Sequence, residues 1–160
     1  LDLSWTILAF TRSIALEYAS RNIRFKAKGT LNVFEYITLP DRLPPVAPYS
    51  HAVRAGDFLF VTGQLSEDPE TGEVSRGAIA DQTKQVMENL KLVLNHVGTD
   101  FDRVVMARIF LTDFRDYAVV NEIYASYFAS NRLPGRTTVG VLGLAGGGDV
   151  EIDLIVYCGD

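Results

Sequence analysis

The sequence predicts an α+β domain, a mostly antiparallel β-sheet with two helices on one face. Short apolar runs bounded by Gly, Pro and Asp turns lie before, between and after two longer segments of helical periodicity. Taken in order, these segments read β-β-α-β-α-β-β. The chain has 160 residues, of which 48% are apolar and 22% charged, enough for one compact domain with a buried core and an appendage.

The elements follow in chain order. Asp41 to Pro48 holds Pro44, Pro45 and Pro48, so it is an extended lead-in and neither helix nor interior strand. His51–Ala55, the turn Gly56-Asp57 and Phe58–Thr62 form a hairpin pattern. A second turn, Asp68 to Glu73, separates Gln64–Ser66 from Val74 and Ser75. Val86, Leu90, Val93, Leu94 and Val97 repeat at spacings of three and four, which predicts one amphipathic helix between Ile79 and Val97, ended by Gly98. Arg103–Thr112 reads as a strand. Asp116–Ala129 reads as the second helix, with Val119, Val120, Ile123, Tyr124, Tyr127 and Phe128 on its buried side. Arg136–Leu142 and Val150–Tyr157 are the last strands, joined by a glycine-rich, flexible segment at 143–148.

Charge divides the chain in two. Residues 1–32 carry five basic and two acidic residues, a net of +3, and residues 33–160 carry ten basic and eighteen acidic residues, a net of -8. Residues 1–32 are therefore expected to be an N-terminal extension to a domain at 33–160. Lys26-Ala27-Lys28-Gly29 is what a purine-rich run resembling a ribosome-binding site encodes, shortly before a Val33 that a GTG start codon would explain. On that reading the extension is translated upstream sequence. Its Arg/Ser content also fits a transit peptide, and Leu3, Ile7, Phe10, Ile14 and Tyr18 fit a helix over 3–20. The acidic domain has the wrong sign to hold phosphate backbones. No run approaches the roughly 20 apolar residues of a membrane span. A lone Cys158 excludes an internal disulfide and fits a reducing, cytoplasmic setting. His51, His96 and Cys158 lack zinc spacing, so no metal site is expected.

Strand parity locates the candidate chemistry. Along 104–111, Val105, Ala107, Ile109 and Leu111 share one face, while Val104, Met106 and Phe110 lie beside Arg108 on the other. Both faces are largely apolar, which predicts an oligomer packed through the sheet. Arg136, Thr138 and Glu151 alternate against the apolar sets of their strands, so they are expected on the side away from the helices, at a subunit boundary. Asp153, next but one to Glu151, suits a solvated strand face. The acids of the 68–73 turn lack calcium-loop spacing, and Gly146-Gly147-Gly148 has no following lysine or helix to make a phosphate loop.

Val46-Ala47-Pro48-Tyr49-Ser50, Phe60-Val61-Thr62-Gly63-Gln64, Thr71-Gly72-Glu73-Val74, Val119-Val120-Asn121-Glu122-Ile123-Tyr124, Leu133-Pro134-Gly135-Arg136 and Val150-Glu151-Ile152-Asp153 resemble, in order, the RidA (YjgF-type) family, also labelled the L-PSP endoribonuclease family. The resemblance implies a chorismate-mutase-like homotrimer with three inter-subunit sites. It also implies hydrolysis of reactive 2-enamino or 2-imino acids, of the 2-aminoacrylate type, to 2-keto acids and ammonia, without cofactor or metal. By the same resemblance Arg136 binds the substrate carboxylate, with the two parallel donors that a guanidinium offers, and Glu151 positions water and exchanges protons. Gly63 lets backbone approach the substrate nitrogen, Tyr49 closes the cleft from a neighbouring subunit, and Thr62 and Asn121 line it. Many relatives carry cysteine where this chain has Thr138, so the backbone there is left to serve the substrate. Two further readings stand beside the deaminase: a metabolite-binding or chaperone-like trimer without turnover, and RNA cleavage, which the -8 charge opposes.

Overall fold

The computed structural model describes residues 34–39, 41, 43, 45 and 47–159. The expectations for residues 1–32 lie outside them. The strands are β1 (Phe34–Ile37), β2 (Ala52–Ala55), β3 (Phe58–Gln64), β4 (Val104–Leu111), β5 (Gly135–Gly140) and β6 (Val150–Tyr157), and the helices are α1 (Ile79–His96) and α2 (Tyr117–Ala125). They form a six-stranded sheet in the order β1-β2-β3-β6-β4-β5. Every pairing is antiparallel except β4 with β5. The sheet is therefore mixed, and β5 is a parallel edge strand reached through α2.

β1 was not expected. In Phe34-Glu35-Tyr36-Ile37 only Ile37 is buried, so its large apolar residues face outward and no core-facing alternation announces a strand. Backbone pairing to β2 alone defines it.

The core lies between one sheet face and the helices. Leu59, Val61, Ala107, Ile109, Leu111, Ile152, Leu154 and Val156 meet Val86, Met87, Leu90, Val93 and Leu94 of α1 and Val120 and Tyr124 of α2. Helix α1 forms because those residues recur every three or four positions. It stops where Gly98 takes φ +74° and Thr99 N–H reaches back to the carbonyl of Leu94. Helix α2 ends at Ala125, four residues before the expected end. Beyond it the chain tightens into i→i−3 bonds, Tyr127 N–H to Tyr124 and Phe128 N–H to Ala125, which still delivers Phe128 to the core. Val119, expected inside, is exposed.

Two bulges shift side chains between faces. Between Val104 and Met106, β4 holds one more residue than β6, so Val104 stays buried and Val105 turns outward, against the sequence parity. Between Val61 and Gln64, β3 does the same opposite β6. Gln64 thereby faces inward, and its Nε2 donates to the carbonyls of Thr62 and Gly63 at 3.0 and 3.3 Å.

The 143–148 segment, expected to be a flexible link, is largely exposed but held at Gly146 and Gly148. Gly146 has φ +62°, and a Cβ there would stand 2.5 Å from Val74 Cγ2. Arg76 Nη2 donates to its carbonyl, and Gly148 is buried. The next residue closes a clasp. Asp149 accepts from Gln82 Nε2 at 2.8 Å and Thr112 Oγ1 at 2.9 Å, while its N–H donates to Gln82 Oε1. No helix among the described residues is long and apolar enough to cross a membrane.

Asp149→Ala strands the fully buried Gln82 without its carboxylate partner. It should cost about 2 kcal/mol, read from urea unfolding at fixed protein concentration. A loss under about 0.5 kcal/mol would remove the clasp from the account of how this loop is held.

Candidate functional site

The candidate residues fall into two sets on opposite faces of the sheet. Glu151 pairs across β6–β4 with Phe110, whereas the core-facing Ile152 pairs with Ile109. Glu151 therefore stands on the open face. Its carboxylate lies against the β3 bulge: a Cβ built on Gly63 would overlap Glu151 Oε1 and stand 2.8 Å from Cδ. Gly63 is thus the residue that lets the acid lie on the backbone. Tyr49 and Thr62 belong to the same face, lining an open hollow with Tyr36, Pro48, Ser50 and Val53. The Thr62 hydroxyl is occupied locally, donating to the Ser50 carbonyl at 2.6 Å. Tyr49 meets His51 edge-on with centroids 5.6 Å apart. His51 is buried, and its Nδ1 accepts from Leu39 N–H at 3.2 Å, which ties the lead-in segment behind Tyr49.

Arg136 and Thr138 lie elsewhere, and this corrects the sequence expectation. In the parallel register Arg136 sits beside Ala107 and Thr138 beside Ile109, both core-facing, so the two project toward the helices. Thr137 and Val139, the positions that alternate with them, are exposed. A short edge strand with Val139 as its one apolar side chain gives its parity no anchor. Arg136 Nη2 donates to Tyr117 Oη at 3.1 Å, and its guanidinium carbon lies 5.7 and 5.2 Å from the ring centroids of Tyr117 and Tyr124. Asn121 stands between those tyrosines on one stripe of α2, at i+4 in an i, i+4, i+7 series. Asn121 Oδ1, Tyr124 Oη and Thr138 Oγ1 are buried with no protein hydrogen-bond partner. Such orphans cost free energy unless a ligand or water satisfies them. The sequence reading missed Tyr117 and treated Tyr124 only as core; the signal for both is their helical spacing with Asn121.

Electrostatics distinguish the acids on the open face. Asp153, expected to be solvated, is nearly buried and paired with Arg108, whose Nε and Nη2 reach its two oxygens at 2.9 and 2.8 Å. Among the described residues no cation pairs with Glu151. Burial holds its carboxyl above the usual glutamate value of 4.5, and Asp153 and Glu67 push it further the same way. Burial also raises Glu67. Glu151 is thus a partly buried acid with an appetite for protons, next to backbone that carries no side chain.

Known proteins resemble this chain in sequence and fold. The family pattern described as Endoribonuclease L-PSP matches residues 40–158. A RutC family protein of Pyrococcus horikoshii is 43% identical over 113 residues, 71% of this chain and 89% of that protein. A bovine protein named 2-iminobutanoate/2-iminopropanoate deaminase is 38% identical over 114 residues, 71% of this chain and 82% of its own length. A putative endoribonuclease of Thermotoga maritima superposes with a TM-score of 0.73 at 35% identity, covering 79% of this chain and 98% of the other.

Because its folded-state carboxyl is held above 4.5, Glu151 binds more protons in the folded than in the unfolded chain as pH rises from that value. Stability therefore falls through this window. Glu151→Gln, which cannot ionise, should unfold at higher urea than the parent at pH 7. The advantage should vanish below pH 4, where the parent is protonated in both states. A lower midpoint at pH 7 would contradict the raised carboxyl.

Proposed function

The chain belongs to the RidA (endoribonuclease L-PSP) family, and we propose that it hydrolyses short 2-imino acids and their 2-enamino tautomers to 2-keto acids and ammonia. The observation that carries this reading is the chemical complementarity of the two sets: a guanidinium with uncommitted donors in one, a protonatable carboxyl against glycine backbone in the other. Relatives named as imine deaminases support it.

The two sets cannot converge within one chain, because the sheet lies between them. We therefore place the site between copies, with the open face of one against the β5 edge and α2 of the next. Two different patches meeting in this way make a heterologous contact, which closes into a ring when the rotation allows, and a homotrimer is the ring the family resemblance implies. Phe34, Tyr36, Phe58, Phe60 and Val105 are large apolar residues exposed on the described chain, and such a contact would cover an apolar face of this kind.

In the proposed reaction the substrate carboxylate sits across the parallel donors of Arg136. Glu151 takes a proton from water as the oxygen bonds to the imine carbon. It passes that proton to the nitrogen, then takes the proton of the new hydroxyl and passes it to the nitrogen as well, so that the C=O forms, the C–N bond breaks and ammonia leaves. One water is consumed per imine, and the carboxyl ends in the state in which it began. Its raised pKa suits both halves of the cycle, since an acid that ionises too easily would not return the proton. The imine also hydrolyses unaided, so positioning by a sparse site is enough to accelerate it.

Keto-acid formation from imines generated in situ from several amino acids tests this reading. The parent should accelerate it, and Arg136→Ala should abolish the acceleration while the oligomer survives. Equal rates with and without the parent protein would move the function to metabolite binding; equal rates for parent and Arg136→Ala would remove the clamp.

A further inference from the structure

A long cationic side chain on an edge strand ordinarily extends into water and samples many rotamers. Arg136 does not. Its guanidinium lies over two rings of a single helix, 5.7 Å from the centroid of Tyr117 and 5.2 Å from that of Tyr124, with Nη2 bonded to Tyr117 Oη. Residues seven apart on an α-helix present side chains to the same face, so one rigid element supplies both rings. Each ring is itself braced. Phe114 stacks on Tyr117 at 5.0 Å with 11° between planes, and Phe128 packs on Tyr124 at 4.7 Å. Tyr124 is only 3% exposed, and burial pushes its phenol up to about 12, so it stays neutral beside the cation.

Cation–π attraction strengthens as the cation is desolvated, and it fixes the plane of the guanidinium without consuming its N–H donors. The hydroxyl of Tyr117 takes one donor of five and fixes rotation within that plane. The remaining donors stay available for a carboxylate.

We propose that Tyr117 and Tyr124 are positioning residues that hold the Arg136 guanidinium in one pose, the first through its hydroxyl and ring and the second through its ring alone. This rests on the reading of Arg136 as the carboxylate clamp, but the pose itself is testable without turnover. A helix bearing two braced tyrosines spares the substrate the entropy of ordering a flexible arginine at each encounter.

The test reads the side-chain Nε–Hε signal of Arg136 in the full-length oligomer, identified by its loss in Arg136→Lys, alongside kinetics on 2-iminobutanoate generated in situ. In the parent this arginine should show hindered rotation of its terminal nitrogens. Tyr117→Phe should free that rotation, and Tyr124→Leu should collapse the signal toward that of a solvated arginine. Tyr124→Phe, which keeps the ring, should leave it unchanged. Tyr117→Phe should raise KM about tenfold, the worth of one hydrogen bond to a charged group, with kcat within about twofold. A freely rotating Arg136 in the parent, or a signal indifferent to Tyr117→Phe and Tyr124→Leu, overturns the proposal. So does an equal loss in kcat together with a lowered urea midpoint, which would mark both tyrosines as structural only. A parent with the hindered signal but no turnover would sink the deaminase reading and leave the cradle standing.

Discussion

The parallel register of β5 on β4 is the constraint on which the rest depends. Ala107 and Ile109 face the helices, so Arg136 and Thr138 beside them must do the same. On the other side of β4 the antiparallel register sets Glu151 beside Phe110, facing the opposite way. A slip of one residue in either pairing would exchange every side chain between faces and bury the wrong set, so the core enforces both registers. The chemistry is divided by the same hydrogen bonds that build the sheet. The outward apolar residues lie on one side of that division and the unsatisfied polar atoms beside Arg136 on the other.

Local irregularities tune each half. The bulge at Thr62 and Gly63 lets Gln64 turn inward and hold the bulge carbonyls, and it leaves a glycine where Glu151 lies down. The pairing of Arg108 with Asp153 satisfies one acid of the open face, while Glu151 has no ion-pair partner among the described residues and feels Asp153 and Glu67 as like charges. On the far side, α2 is only nine residues long, yet its first and last turns carry the tyrosines that meet Arg136.

Much of this was legible in the sequence wherever a pattern had a buried face to report. The spacing in α1, the hairpin at Gly56-Asp57 and the alternation of Val150, Ile152, Leu154 and Val156 each correspond to side chains locked in the core. What escaped had no such anchor. β1 turns its aromatics outward, Val105 is displaced by a bulge that periodicity does not encode, and β5 is an edge strand whose six residues include two glycines. The strand parity that set Glu151 apart from its apolar neighbours is the one observed, but the face of Arg136 required the partner strand. The motif resemblance named both residues without saying that they face apart. Asp153 was misread because a charged residue in an outward position looks solvated until its arginine, forty-five residues away, is placed across the strands.

The central claim is that one site draws Arg136 from one copy and Glu151 from another, and subunit complementation tests it most directly. Arg136→Ala and Glu151→Gln are each prepared as an oligomer without turnover, then co-expressed in equal amounts so that mixed rings form. If each site takes one residue from each of two neighbours, about a quarter of the sites in the mixture carry both native residues, and imine hydrolysis returns to roughly that share of the parent rate. A mixture that assembles yet stays as inactive as its components would mean that each chain completes its own site, which contradicts the account.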